Sequence, residues 1–270
     1  MRIRQLAAFL VVAIKGGIRD RILAAILVVG LVLLLTTPIV AVFSMRQVLA
    51  LATSYSLSII GLMGLLLTLF LAMGLLARDL EQRQVYTICS LPISRATYLL
   101  GKFFGFAIVI FMAVTILGCF AAGALLVLER IYPVDRSFAW HAFFTGLWFQ
   151  YWVLLIVGAI TILFSTVATS NFLPLALSVG IYLGGHSSEA VRYFIQTAAG
   201  KKELGSAVKL FGNVVYWILP NFSAFDLKFH IIYGLALNVK ELMLTQLYAI
   251  GYLGVLLILA TVAFHRREFL

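Results

Sequence analysis

Charge is scarce in this chain, so the places where it collects are where chemistry must be sought. Of 270 residues, 11% are charged and 63% are hydrophobic. Between Arg78 and Lys102 the sequence gathers Arg78, Asp79, Glu81, Arg83, Arg95 and Lys102 around Pro92. The pair Gly101-Lys102 fails as a phosphate-binding loop. That loop needs glycine at 96 and a hydroxyl residue at 103, and the chain has Ala96 and Phe103. No nucleophile elbow, zinc-protease motif or paired-carboxylate arrangement occurs. His141, His186 and His230 lie apart without ligand spacing and read as structural. Cys89 and Cys119 form no C-x-x-C and read as small apolar fillers. The expectation is a chain with no catalytic, cofactor-binding or metal-ligating residues of its own.

The elements around that charged stretch are those of a membrane protein. Soluble domains are near half apolar and about a quarter charged. A chain with mean hydropathy +1.10 cannot hide its apolar surface in one soluble core. The net charge of +10 speaks for orientation in the bilayer and contact with anionic lipid headgroups, not for nucleic acid. The fold class expected is all-α and polytopic, one membrane domain over 1–270. Six spans are read from charge-free runs: Ile22–Phe43, Val48–Ala77, Phe103–Leu128, Trp140–Thr169, Phe172–Gly185 and Leu247–Phe264. The fifth is short, and it either extends past His186 or stops partway. Residues 1–21 resemble a signal peptide, but Lys15 interrupts the apolar run and no cleavage site follows. They read instead as an interfacial helix, with Ile3, Leu6, Ala7, Leu10, Ile14 and Ile18 on one face and Arg4, Lys15 and Arg19 on the other. Residues 186–246 form a long outer connection with amphipathic helices, either a lid over an exit or a cap. Lysine and arginine concentrate before the first span, between the second and third, and after the sixth. The positive-inside rule then places both termini and the loop 78–102 in the cytoplasm.

The loop 78–102 reads as helix, elbow, helix. The second span continues outward on Arg78, Asp79, Glu81 and Arg83. Pro92 stops it and biases Leu91 toward extended geometry. Ser94 caps a helix running through Arg95, Tyr98 and Lys102 into the third span. Leu91, Pro92 and Ile93 are left at the tip, either for a partner to cover or to tuck against the protein's own helices.

The run RDLEQRQVYTICSLPISRATYLLGKFFG resembles the first cytoplasmic loop of type-two permeases of ATP-binding-cassette transporters. It carries the S-x-P-[IV]-S-R elbow at Ser90, Pro92, Ile93, Ser94 and Arg95, then the Y-x-x-G-K-F re-entry at Tyr98, Gly101, Lys102 and Phe103. With ILPNFSAFDLK (Ile218–Lys228) and the terminal FHRREF (Phe264–Phe269), the chain resembles the branch associated with multicopper-enzyme maturation, including nitrous-oxide-reductase accessory permeases. The resemblance implies an elbow that docks on a separate ATPase subunit, which would hold the ATP and magnesium. It implies a homodimer in the inner membrane of a bacterium, working as an exporter. A second class stays open, a membrane assembly or mechanotransmission factor that moves a periplasmic partner and carries no solute.

Two further features carry expectations. Ser54, Ser58, Gly61, Thr68, Thr161 and Ser165 form small and hydroxyl stripes, which serve either helix packing or a substrate route. In the outer connection, Pro220, Asn221, Phe222 and Asp226 form a turn motif that Asp226 ties by hydrogen bonds. No Asp, Glu, Lys or Arg is expected deep in a span, which argues for ATP drive over ion coupling.

Overall fold

A computed structural model describes residues 2–44, 47–81, 95–132, 138–168, 170, 172–197, 205, 212 and 216–266. For 2–10, 76–81 and 95 it describes the backbone alone. Among the described residues the chain is helical, with no strand. The helices are α1 (Arg2–Arg19), α2 (Arg21–Leu35), α3 (Thr37–Val42), α4 (Val48–Glu81), α5 (Arg95–Ile131), α6 (Trp140–Val167), α7 (Phe172–Gln196), α8 (Lys228–Tyr233) and α9 (Val239–Arg266). A single 3-10 turn occupies Ser223–Phe225.

Five stretches are long and apolar enough to cross a bilayer: Arg21–Val42, Val48–Leu75, Ala96–Ile131, Trp140–Val167 and Val239–Arg266. The chain is therefore an all-α polytopic membrane protein. The fifth run expected from sequence behaves differently. Its helix does not stop at Gly185 but continues as α7 through His186 to Gln196. Its later turns carry His186, Glu189 and Arg192, and they dilute its apolar character below that of the other five.

α6 is the centre of the bundle, with 67% of its apolar stretch buried against 22% for α2 and for α9. α4 runs parallel to it, with Gly61 at Gln150 and Gly64 at Leu154, α5 runs antiparallel, with Phe106 at Gly158 and Gly118 at Leu147, and α7 and α9 pack on its flanks. α2 leans on α4 and α5 at the periphery. In lipid the apolar faces of α2 and α9 lose little by staying exposed, because acyl chains are as apolar as leucine. What selects the central contacts is close packing. The polar breaks also have local causes. Asp20 caps α2 by accepting from Ile22 N at 2.9 Å. The first span is split at Thr36, ahead of Pro38, where Thr36 Oγ1 donates to Leu33 O at 2.7 Å and lies 2.9 Å from Tyr55 Oη.

α1 packs along α5, and its contact face is Ala13 and Gly17, with Gly17 set against Val109 and Leu71. Ile18, assigned by the helical wheel to the apolar face, is 58% exposed. The wheel finds a hydrophobic face, but the smallest side chains give the closest approach.

Candidate functional site: the elbow's seat and a re-entrant hairpin

Of the residues expected to couple to a partner, Arg83, Leu91, Pro92, Ile93 and Ser94 lie outside the described residues. Arg78, Asp79 and Glu81 end α4, and Arg95 begins α5. Tyr98 is different in kind from the rest, because it is buried to 2%. Its ring stacks on Phe264 of α9 with centroids 5.9 Å apart. The Lys102 amine sits 5.2 Å from its centroid and donates to the Leu75 carbonyl of α4. Lys102 is itself only 7% exposed, so a charged residue is buried at the mouth of a span where none was expected. Within this chain the motif Y-x-x-G-K-F is a seat that fastens the first turns of α5 to α4 and α9, and Phe103, buried to 2%, completes it by packing on Phe106. Replacing Tyr98 with alanine removes the stack and the cation contact together, a loss of about 2–4 kcal/mol. Thermal unfolding in detergent is expected to show Tyr98→Ala well below wild type and below Tyr98→Phe, which keeps the ring. Equal midpoints for the two variants would remove the seat from the argument.

The second arrangement lies in what reads from sequence as an outer loop. From Gly212 the chain descends beside α7. Arg192 stands 4.2 Å over the Tyr216 ring, and Leu219 and Pro220 reach Gly184 and Gly185. The chain turns at Ser223–Phe225 and climbs again as α8 between α4 and α6. Phe222 is fully buried, and Phe225 and Ile231 are 3% and 2% exposed. Phe225 packs against Phe149 and Tyr248, and Ile231 against Gly146. Phe149 and Tyr248 each lie about 14 Å along their helices from the ends that hold Trp140 and Val239, at 1.5 Å per residue. The segment is a hairpin that folds back into the helical bundle. Its irregular backbone is covered by protein, and Phe222 and Phe225 fill the space between the helices.

The motif Pro220, Asn221, Phe222 and Asp226 is therefore divided: Pro220 and Phe222 are core, Asn221 is half-buried and Asp226 is exposed. Its polar atoms do tie the turn. Asn221 Oδ1 accepts from Ser223 N at 3.1 Å and Asp226 Oδ1 from Lys228 N at 3.0 Å. Ser223 Oγ donates to His186 O at 2.9 Å, and Tyr252 Oη to Ile218 O at 3.2 Å, which pins the hairpin to α7 and α9. The His186 ring stacks on Tyr182, which in turn meets Phe222.

The hydroxyl stripes divide. Thr68, Thr161 and Ser165 are buried at 0%, 0% and 4%. Thr161 and Ser165 return their protons to Val157 O and Thr161 O, and Thr68 Oγ1 has no partner among the described residues. These three are buried among the helices. Ser58 likewise returns its proton to Ser54 O at 2.8 Å but is exposed, with Ser54 and Gly61 half-buried on the same side of α4 and Gly61 near the Gln150 amide. The hairpin brings Lys228 to this side, and its amine donates to Ser58 Oγ at 3.5 Å. Lys228 escapes sequence reasoning because it follows a motif that reads as extracellular. The signal that finds it is PNFSAF itself, whose two phenylalanines have no reason to sit in an aqueous loop.

Cys119, expected as a filler, is free and exposed on α5. Among the described residues no three His, Cys, Asp or Glu side chains converge as metal ligands.

No curated protein matches the chain. A protein-family model does, the ABC-2 family transporter protein, over residues 14–269. The match runs from α1 through every helix described above, including the elbow's flanks and the hairpin. The chain belongs to the ABC-2 transporter family, the membrane subunits of ATP-binding-cassette transporters.

Proposed function

We propose that this chain is the permease half of an ATP-driven exporter, working as a homodimer in a bacterial inner membrane with both termini cytoplasmic and α7 as a sixth span. The nucleotide-binding subunit is a separate chain, and the elbow between α4 and α5 docks on it. The observation that carries this reading is mechanical. α5 is one unbroken helix of 37 residues, Arg95–Ile131. Its first turn leaves the elbow, and its next turn is locked to α4 through Lys102 and to α9 through Tyr98. A push at the elbow is therefore passed as a rigid-body motion to three helices over about 55 Å, at 1.5 Å per residue. The side of α4 that carries Ser54, Ser58 and Gly61, with the Ser58 hydroxyl exposed, favours a route for solute over a dry transmission contact.

The docking tip is tested by Ile93→Asp. Burying an isoleucine in a partner groove contributes about 1.5–3 kcal/mol, so the aspartate is expected to weaken the complex at least tenfold. Tagged permease with and without the change is purified from cells that make both subunits, and the ATPase retained is measured in high salt. The spans still insert, and the thermal midpoint of the permease stays at the wild-type value. Wild-type retention of the ATPase by the variant would remove the elbow as the coupling site. Arg83 and Arg95 at the rim are expected to matter only at low salt.

A further inference from the structure

We propose that the cavity between α1, α4 and the base of α5 holds the zwitterionic headgroup of one membrane lipid, a phosphoethanolamine group, with its phosphate toward Lys102 and its ammonium toward Asp20. The site goes beyond the transporter reading and needs no partner subunit.

The cavity has a volume of about 280 Å³ and is lined from three helices. α1 contributes Gly16 and Gly17, with Asp20 where the chain passes into α2, α4 contributes Gly74 and Leu75, and α5 contributes Lys102. Glycine makes the space: a Cβ at Gly16 or at Gly74 would meet no atom within 4 Å. The depth follows from the spans. One apolar stretch begins at Arg21, beside Asp20, a second ends at Leu75, and a third begins at Ala96, less than two turns before Lys102. The cavity therefore lies where three spans pass from hydrocarbon to headgroups, on the side of the elbow.

Two opposite charges line this one space. Lys102 is 7% exposed and carries three N–H donors, one of which goes to the Leu75 carbonyl. Asp20 is half-buried, and its Oδ1 caps α2. A zwitterion sets an anion at the amine and an N–H cation at the acid, so each charge meets its opposite away from bulk water. A purely anionic headgroup would suit Lys102 and be repelled by Asp20. A choline headgroup has no N–H to give the carboxylate. Water would suit the charges but not the rim. Val12 is 62% and Phe70 37% exposed there. Phe70 lies about 7.5 Å inside the end of its apolar stretch, at 1.5 Å per residue. A rim that runs from the charges into the hydrocarbon layer suits an acyl chain, and this ties the headgroup to a lipid.

The full chain tests this in a neutral detergent, with single lipids titrated in and bound lipid counted by native mass spectrometry. Wild type is expected to bind phosphatidylethanolamine about fivefold or more tightly than phosphatidylcholine or phosphatidylglycerol. Asp20→Asn keeps a side-chain oxygen for the cap and removes the charge. It is expected to lose that order, so that phosphatidylglycerol binds at least as tightly as phosphatidylethanolamine. Gly74→Leu grows a side chain into the cavity and is expected to weaken phosphatidylethanolamine by about tenfold or more. Thermal unfolding checks that each variant is folded. Should Gly74→Leu misfold, Gly16→Leu enters the same space from α1 and is expected to have the same effect. Equal binding of the three lipids by wild type, the wild-type order in folded Asp20→Asn, or wild-type affinity in a folded leucine variant overturns the proposal. Glycerophosphoethanolamine, which has the headgroup without the chains, is expected to bind about tenfold or more weakly than the lipid. Equal binding of the two would overturn the lipid as the occupant.

Discussion

Gly185→Val is expected to expel the re-entrant hairpin from the bundle while leaving the surrounding helices in place. A Cβ at Gly185 would stand 2.4 Å from the Pro220 carbonyl oxygen and 2.7 Å from Cδ2 of Phe222. The first of these is backbone and cannot rotate away. The second belongs to a ring with 0% exposure, held between α7 and the descending chain. Relief therefore requires the whole turn to move, and with it Phe225, which leaves a void against Phe149. Loss of a buried phenylalanine is worth about 3–5 kcal/mol, so the variant should populate a state with the hairpin out. Hydrogen exchange read by mass spectrometry is the measurement. Amides of 221–231, several of them bonded within the turn or to Tyr248, are expected to exchange at least tenfold faster, and those of α6 at the wild-type rate. Uniform acceleration throughout the protein would mean that Gly185 holds the bundle rather than the hairpin. No acceleration would mean that the hairpin is not seated on α7.

Gly158→Ala is expected to have the largest effect of any single methyl added to this protein. Its Cβ would fall 2.2 Å from Cζ, 2.5 Å from Cε1 and 3.2 Å from Cε2 of Phe106. Phe106 is fully buried against Phe103, at the contact between α5 and α6. With no free rotamer for the ring, the two helices must separate. Overpacking in a tight core costs about 1–3 kcal/mol and sometimes more, and an overlap this deep belongs at the upper end. The yield of folded protein should fall sharply. Phe106→Leu removes the three atoms in the way, and by itself it costs about 1–2 kcal/mol. The double variant is expected to be as stable as Phe106→Leu alone, a coupling of about 2–3 kcal/mol in a double-mutant cycle. Additive losses would show that the glycine serves something other than this contact.

The sequence by itself determined that the protein lives in a membrane, that it is helical, and where most helices begin and end. Charge-free runs in lipid have one way to satisfy their backbone, and Asp20 punctuates them as a cap. Only the tertiary structure decided what Tyr98, Lys102 and Phe264 are for. They lie far apart in sequence and meet because α4, α5 and α9 converge at one end. It also decided which hydroxyls are buried and which are exposed. Thr68, Thr161 and Ser165 face neighbouring helices and Ser58 does not, a distinction that periodicity alone does not carry. The deepest change concerns Pro220 to Lys228. A stretch between two polar segments reads as extramembrane from hydropathy, since the window averages its phenylalanines with its neighbours. In the folded chain those phenylalanines find a gap between α6, α7 and α9 and fill it, so residues far apart in sequence decide that this stretch is core.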